Sequence, residues 1–422
     1  MIDPVHRDLW QAIAAEASWL GPLGLVGLIS WAVWLSRWML SRVYRPVTST
    51  FRATVSLVVP VYREDPDVLF RCLGTWLAEE PDELILVVDR ADEQILAGLA
   101  ALHDKRVRVM AIDHQGKRSA LADGIRLAKG EIVVLADSDT SWEPGLLHAV
   151  QMPFADPRVG GVGTRQSVYM RRSSRWRIVA DWMVALRYLD IVPAMGLFGA
   201  VACLSGRTAA YRRSIILPLL PQLEDEYFLG RRCVSGDDGR LTWLVLNAGY
   251  RTVHQATARA TSMFPDSLRA FVKQRVRWSR NSYRCYLTAI WNGWLWERPL
   301  ITQITVLQIL ATPLSMAGAL ILLGLSLAGS HWVAGIISIG WLFGGRLVRG
   351  ISHLREHPED LRYLPLIAVV AICVALPIKL YALLTMNQQG WLTRSGDQIG
   401  GEAQTEASLL ASPPRRGLEA EN

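Results

Sequence analysis

Cysteine is scarce and scattered: Cys72, Cys203, Cys233, Cys285 and Cys373 form no CxxC pair and no metal-ligand spacing. So odd and sparse a set argues against a disulfide framework and fits a reducing compartment. Charge is also low, at 20% of residues against 51% hydrophobic, which excludes intrinsic disorder. No internal repeat is visible. Between roughly residues 41 and 299 no long apolar run occurs, yet on either side such runs are too long for ordinary core helices, which argues against a wholly soluble protein. The net charge of +7 would suit nucleic acid or a membrane face. With spanning runs present, a cytoplasmic membrane face touching lipid is the better reading, and no nucleic-acid partner is expected. A length of 422 residues accommodates two or three domains.

Residues 20–40 (LGPLGLVGLISWAVWLSRWML) carry a single charge, Arg37, near their end. At 1.5 Å per residue this run crosses a hydrocarbon core about 30 Å thick. No small-residue cleavage site follows, so it reads as a retained anchor. Arg37, Arg42, Arg45 and Arg52 crowd its C-terminal flank and place that flank in the cytoplasm. Spans are expected again at about 300–328, 331–348 and 364–386. The 331–348 run is short and Gly-rich, and a re-entrant segment is its alternative. The Arg-rich loop before the last span (Arg346, Arg349, Arg355, Arg362) falls on the same side as 41–299 when four spans are counted, so the two basic clusters agree on one topology. Residues 174–200 and 267–296 mix basic and aromatic side chains at helical spacing. Each reads as an interfacial helix or as an ordinary surface helix of the soluble domain, the second stretch favouring the interface.

The central region alternates strand and helix. Val55–Val61, Leu84–Val88, Val107–Ile112 and Glu131–Ala136 are short apolar β-branched runs, and Asp67–Ala78 and Ser119–Ala128 have helical periodicity. Continuous apolar strands interleaved with helices indicate a parallel sheet covered on both faces. Ligands bind such sheets beyond the carboxyl ends of their strands, where Tyr62, Glu64, Asp89 and Asp137-Ser138-Asp139 stand.

Three constellations could carry chemistry. Asp137 and Asp139 follow a strand directly, and alternation brings both carboxylates near one point, as a divalent cation on phosphate requires. Two acids capping a strand or helix are the plainer alternative. At the end of a parallel strand, with Lys117 of a GKR loop available for phosphate, the functional reading is preferred. Gly236-Asp237-Asp238 reads either as an N-cap or as a loop presenting a general base, and spacing alone does not choose. Gln274, Arg277 and Trp278 share one helical face, suited to a diphosphate and a sugar ring, or to an interfacial basic helix. Cys203-Leu-Ser-Gly206 reads as a tight turn into a helix, and Cys233 as readily a small core residue as a site residue.

In order, VVPVYREDPDVL (59–69), VVD (87–89), GKR (116–118), DSD (137–139), GGVGTRQ (160–166), CLSG with YRR (203–206, 211–213), FLGRRCVSGDDGRLT (228–242) and QRVRW (274–278) resemble the membrane-embedded, processive family 2 glycosyltransferases. That group includes hyaluronan, chitin and cellulose synthases, and the similarity is greatest to hyaluronan synthase. The resemblance implies an α/β fold of GT-A type: a cytoplasmic glycosyltransferase domain with interfacial amphipathic helices and about four transmembrane helices. The implied layout is an N-terminal segment with one span (1–45), the catalytic domain (46–266), an interfacial QxxRW helix (267–299), a C-terminal membrane region (300–389) and a disordered tail (390–422). It further implies residence in the plasma membrane as a multi-pass protein.

By the same resemblance Tyr62, Glu64 and Asp89 would contact the uridine, and Lys117, Gln274 and Arg277 the diphosphate. Asp137 and Asp139 would hold the nucleotide and a Mg²⁺ or Mn²⁺, and Asp238 would be the base. Trp278, Cys233, Ser205, Gly206, Arg212 and Arg213 would shape the acceptor side. Partners would be UDP-sugars (UDP-GlcNAc and UDP-GlcUA) and a nascent polysaccharide that the spans extrude; four spans are few for a pore, which leaves a homodimer or the amphipathic helices to complete it. The chain departs from the family in Gly239-Arg240 after GDD, where a basic pair is usual, in Arg63, where asparagine is usual, and in having one clear N-terminal span. The alternatives are a chitin-type or cellulose-type homopolymer synthase, a non-processive transferase with a lipid-linked acceptor, and an inactive scaffold.

Overall fold

The computed structural model describes residues 27–113 and 115–388. The start of the first apolar run and the C-terminal tail lie outside the described residues.

The apolar runs form strands as expected. β1 (Val55–Val61), β2 (Glu83–Asp89), β3 (Val107–Ile112) and β4 (Ile132–Ala136) are joined by β5 (Thr140–Trp142), β6 (Val159–Val168), β7 (Thr208–Arg212) and β10 (Arg251–Ser262), while β8 (Tyr227–Phe228) and β9 (Arg231–Arg232) make a separate hairpin. The eight-stranded sheet has the order β3-β2-β1-β4-β7-β6-β10-β5. The expected parallel sheet is therefore only partly right. β1 to β4 are parallel, but β7 runs antiparallel to both β4 and β6, and β5 antiparallel to β10. Consequently the CLSG turn leads into a strand rather than a helix, because Thr208–Arg212 completes the backbone hydrogen bonds of β4.

β1 is buried along its whole length, so both of its faces must be covered. Leu57, Val59, Leu84 and Leu86 pack beneath the Pro66–Leu77 helix, started by Pro66 and by Asp65, whose side chain accepts from the amides of Asp67 and Val68. Val58, Ile85 and Val87 face the opposite core, under the Lys117–Leu127 helix. The 174–200 stretch resolves its ambiguity by burial: Arg175–Ala185 packs Ile178, Val179, Ala180 and Trp182 into this core, so it is a domain helix.

Two helices, Leu300–Ala328 and the segment Pro358–Leu384, are long and apolar enough to cross a membrane. Against the four spans expected, only these two qualify among the described residues. Trp332–Arg349 is a continuous 18-residue helix, not a broken re-entrant backbone, but its glycines, Arg346 and Arg349 dilute its hydropathy. It stands beside the helix over 27–43, with the Trp31 and Trp341 rings 5.7 Å apart and Arg349 Nη2 donating to Ser30 Oγ at 2.7 Å.

The Arg-rich loop docks on the domain. Ser352 Oγ donates to Asp190 at 2.7 Å, and Arg165 pairs with Glu356 at 2.7 Å. Asp181, His353 and Asp360 gather there with ligand atoms within 4.8 Å of one another. Arg171 is already paired with both aspartates, and His353 Nε2 lies 2.8 Å from Asp360, so the group is a closed clasp between helix and loop.

His254 is buried on β10 between the rings of Tyr44 and Tyr188, with centroids 5.6 and 6.0 Å away. Burial pushes its pKa from 6.5 down to about 3. The unfolded chain therefore takes up a proton in that window that the folded chain refuses, and folding stability falls as pH drops below 6.5, by at most about 1.4 kcal/mol per pH unit. His254→Phe is expected to flatten this acid slope, measured by thermal unfolding from pH 7.5 to 4.5.

Candidate active site

Three segments distant in sequence converge beyond the carboxyl end of β4. Asp137 to Asp139 follow the strand directly, and the Asp137 amide donates to the Arg207 carbonyl at 3.2 Å, tying the DSD turn to the start of β7. Gly236, with φ of 78°, turns the chain into the Asp237–Asn247 helix, whose first turn carries Asp237 and Asp238. A left-handed glycine suits that turn, and the helix N-terminus favours both carboxylates. Thr242 locks helix and turn together: its hydroxyl donates to the Asp238 carbonyl at 2.6 Å and accepts from the Leu204 amide at 3.0 Å. The third segment is the Leu268–Trp291 helix, capped by Ser267, which lies between the domain and the last apolar helix.

Together they enclose a cavity of about 600 Å³. Lys117, Asp137, Asp139, Asp237 and Asp238 line one side, with Ser205 and Gly206 beside them; Gln274, Arg277 and Trp278 line the other, as one helical face requires. Lys117 is the hub. Its Nζ sits 2.7 Å from Asp137 and 3.1 Å from Asp237. Burial works against its charge, but these two acids outweigh burial and raise its pKa. Asp237 is pushed up by burial despite the lysine. The two acids of GDD thus diverge: Asp237 is held by Lys117, whereas Asp238 accepts from the Gly239 amide at 2.8 Å and turns its other oxygen toward the Gly206 amide at 3.5 Å and Cys203 Sγ at 3.7 Å. A Cβ on Gly206 would come within 3.2 Å of Lys117 Nζ and 3.3 Å of Asp237, which accounts for glycine there. Gly239 is crowded similarly, since a Cβ would lie 2.9 Å from Cys285 Sγ, so the first of the two positions after GDD has no room for a side chain and only Arg240 there is basic.

Tyr62, Glu64 and Asp89 stand on the same sheet edge but outside the cavity lining. Of the three, Glu64 is tied to the DSD turn by Ser138, whose hydroxyl donates to it at 2.6 Å, while the Arg63 guanidinium stacks over the Tyr62 ring at 5.2 Å. Three expected acceptor-side residues are not brought in. Arg212 ends β7 opposite Ile132, at the far edge of the sheet, bonded to Glu131 and the Phe154 carbonyl. An antiparallel β7 carries its start to the cavity and its end away, so Arg213, next in the chain, is also remote. Cys233 is buried behind the GDD turn, its amide donating to the Glu226 carbonyl at 2.8 Å.

The cysteines that do line the cavity are Cys203 and Cys285. Burial, reinforced by Asp238, pushes the Cys203 thiol up to about 12. Arg187, Arg207 and Arg275 also line it without having been singled out. Arg275 sits inside the QRVRW motif and Arg187 inside the 174–200 stretch, so extending the helical periodicity is the signal that finds them.

The donor set fits a divalent cation: Asp137 and Asp139 offer hard oxygen ligands to one cavity. Buried Nε of Arg277 and Oε1 of Gln274 have no hydrogen-bond partner among the described residues, as groups awaiting a polar ligand would. Lys117→Met leaves Asp137 and Asp237 without their ion-pair partner, offset only in part by the Arg277 charge. Loss of one partner of a buried ion pair costs about 3–5 kcal/mol, the lower end applying here because Asp137 is a third exposed. The expected outcome is a marked drop in melting temperature of the solubilised protein.

The model of the family described as glycosyltransferase-like family 2 matches residues 52–281. An N-acetylglucosaminyltransferase of Azorhizobium caulinodans is 31% identical over 352 residues, covering 81% of this chain and 87% of that protein. One of Sinorhizobium fredii is 32% identical over 368 residues, covering 83% and 86%. Among solved structures, a mannosyltransferase of Pyrobaculum calidifontis bound to GDP-mannose and Mn²⁺ superposes with a TM-score of 0.55 at 21% identity, covering 86% of this chain and 97% of that one, a likeness of GT-A fold. The chain belongs to glycosyltransferase family 2 and is a hexosyltransferase.

Proposed function

We propose that this enzyme transfers N-acetylglucosamine from UDP-N-acetylglucosamine to a glycan hydroxyl with inversion, building a chitin-type homopolymer or oligosaccharide. The observation that carries the reading is the meeting of the DSD, GDD and QxxRW residues around one cavity at the strand ends. The choice of sugar rests on the relatives, which are N-acetylglucosaminyltransferases. They favour the homopolymer alternative over the hyaluronan synthase that the motifs suggest.

In this reading the uridine lies over Tyr62, Glu64 and Asp89, and the diphosphate is held by Lys117, Gln274 and Arg277. Asp137 and Asp139 would hold a Mg²⁺ or Mn²⁺, which supplies charge neutralisation on the diphosphate. Asp238 takes the proton of the acceptor hydroxyl as its oxygen attacks the anomeric carbon, and the bond to UDP breaks on the opposite face. Asp238 is preferred to Asp237 as the base because its carboxylate meets, among the described residues, only the Gly239 and Gly206 amides and the Cys203 thiol, whereas Lys117 is paired with Asp237. Fixed cations that need no rearrangement as charge develops on the leaving diphosphate stabilise the transition state. Ser205 and Gly206 form the floor between donor and acceptor.

The two apolar helices, together with an Arg-rich loop docked on the domain, support a multi-pass protein at the plasma membrane with its catalytic domain in the cytoplasm and its product passing into a protein-lined path.

Purified protein in nanodiscs, given Mn²⁺ and radiolabelled UDP-GlcNAc, is expected to form product from that donor alone. Product appearing only when UDP-GlcUA is added would return the assignment to hyaluronan, and none under either condition would overturn it. Asp238→Asn is expected to bind UDP normally while transfer falls by about 10²–10⁴-fold, the usual contribution of a general base.

A further inference from the structure

Eight cationic side chains and five carboxylates line the cavity, a surplus of three positive charges. The ligands already assigned leave that surplus in place, since a nucleoside diphosphate sugar carries two negative charges and its divalent cation two positive ones. The surplus is unevenly spread. Lys117 and Arg277 face the aspartates and Arg207 feels Asp137, but Arg207 also groups with Arg187 and Arg275, and it is these arginines, not carboxylates, that act on Arg275.

Trp278 holds two of these guanidiniums, with Arg207 4.7 Å and Arg275 4.9 Å from its ring centroid; Phe264 and Phe271 back them at 4.1 and 5.0 Å. The indole expected to stack on a sugar is thus a platform for arginine. Arg187 donates to the Cys203 carbonyl at 3.0 Å, beside Asp238. Nε of Arg187 and both Nε and Nη2 of Arg275 are shielded from solvent without a hydrogen-bond partner among the described residues. No carboxylate acts appreciably on Arg275: burial, then Arg207 and Arg187, push it down to about 9. Like charges held together out of water, with donors unmet, are a costly arrangement that an anion relieves.

We propose that Arg187, Arg207 and Arg275 form a second anion subsite, which takes a phosphate or carboxylate carried by the acceptor that starts a chain. The subsite rests on the donor and acceptor reading given above. Its place beside Asp238 and beyond Arg277 puts it on the acceptor side of the reacting centre, where a bound anion would anchor the acceptor while its hydroxyl meets the base. Arginine is suited to either anion, since its fork matches both geometries.

The test uses the full-length protein in nanodiscs, saturated with UDP and Mn²⁺ so that the donor subsite is filled. Butyl phosphate, glucuronic acid and neutral N-acetylglucosamine are titrated in, with binding followed by ligand-observed NMR. At least one anion is expected to bind 10-fold or more tightly than the neutral sugar. Arg275→Gln and, separately, Arg207→Gln are expected to weaken that anion by roughly 10–100-fold, the worth of a charged hydrogen bond, and Arg275→Lys by less. UDP affinity should move less than about threefold in all three. A response to butyl phosphate marks a phosphate-bearing acceptor, and one to glucuronic acid a carboxylated sugar. The proposal is overturned if neither anion outbinds the neutral sugar, or if UDP affinity falls as far as anion affinity, which would assign these arginines to the donor. Failure of the native protein to bind UDP would overturn the donor reading itself, and this subsite with it.

Discussion

One ammonium group organises the active site. Lys117 reaches from the start of its helix into a space where Asp137 and Asp237 would otherwise repel each other across a low-dielectric pocket. Its two contacts hold the end of β4 against the first turn of the GDD helix, and they divide the labour of GDD by occupying one acid and leaving the other turned toward Gly206 and Cys203. Both glycines at this point answer to crowding, Gly206 against Lys117 and Gly239 against Cys285. The geometry of the cavity is therefore set by where charge must be neutralised, and the packing around it is fitted to that need.

The same logic governs the membrane side of the molecule. The clasp of Arg171 with Asp181 and Asp360, and the bond of Ser352 to Asp190, couple the loop between the apolar helices to the helix Arg175–Ala185. A movement of the apolar helices would thus be felt by the chain that continues to Arg187 in the cavity wall. The QxxRW helix is tied likewise, since Arg280 donates to Thr385 at 3.0 Å and Arg284 to the Met386 carbonyl at 2.6 Å. The helix that brings Arg277 to the cavity is thus bonded on another face to the residues that follow the last apolar helix.

The motifs suggest hyaluronan synthase, whereas the relatives are named N-acetylglucosaminyltransferase, and both readings fall within glycosyltransferase family 2. DSD, GDD and QxxRW share one cavity, and in the proposed reading they meet the diphosphate, the cation and the acceptor hydroxyl, a task common to both readings. The motifs by themselves do not name the sugar, and its choice rests on the relatives.

The sequence by itself determined the first four strands, two of the three helices between them (not Glu93–Ala100) and the residues at their carboxyl ends, because hydrophobic period and turn chemistry are local properties. It also determined that Gln274, Arg277 and Trp278 share a face, since helical spacing is local too. What only the tertiary structure decided was everything that depends on strand direction and on partners distant in the chain. β7 runs antiparallel, which sends Arg212 to the far edge of the sheet; Cys233 turns into the core while Cys203 meets Asp238; and Arg207 and Arg275, sixty-eight positions apart in the chain, close on one indole. No local pattern carries such information, because charge pairing and ring stacking are settled by distance in space.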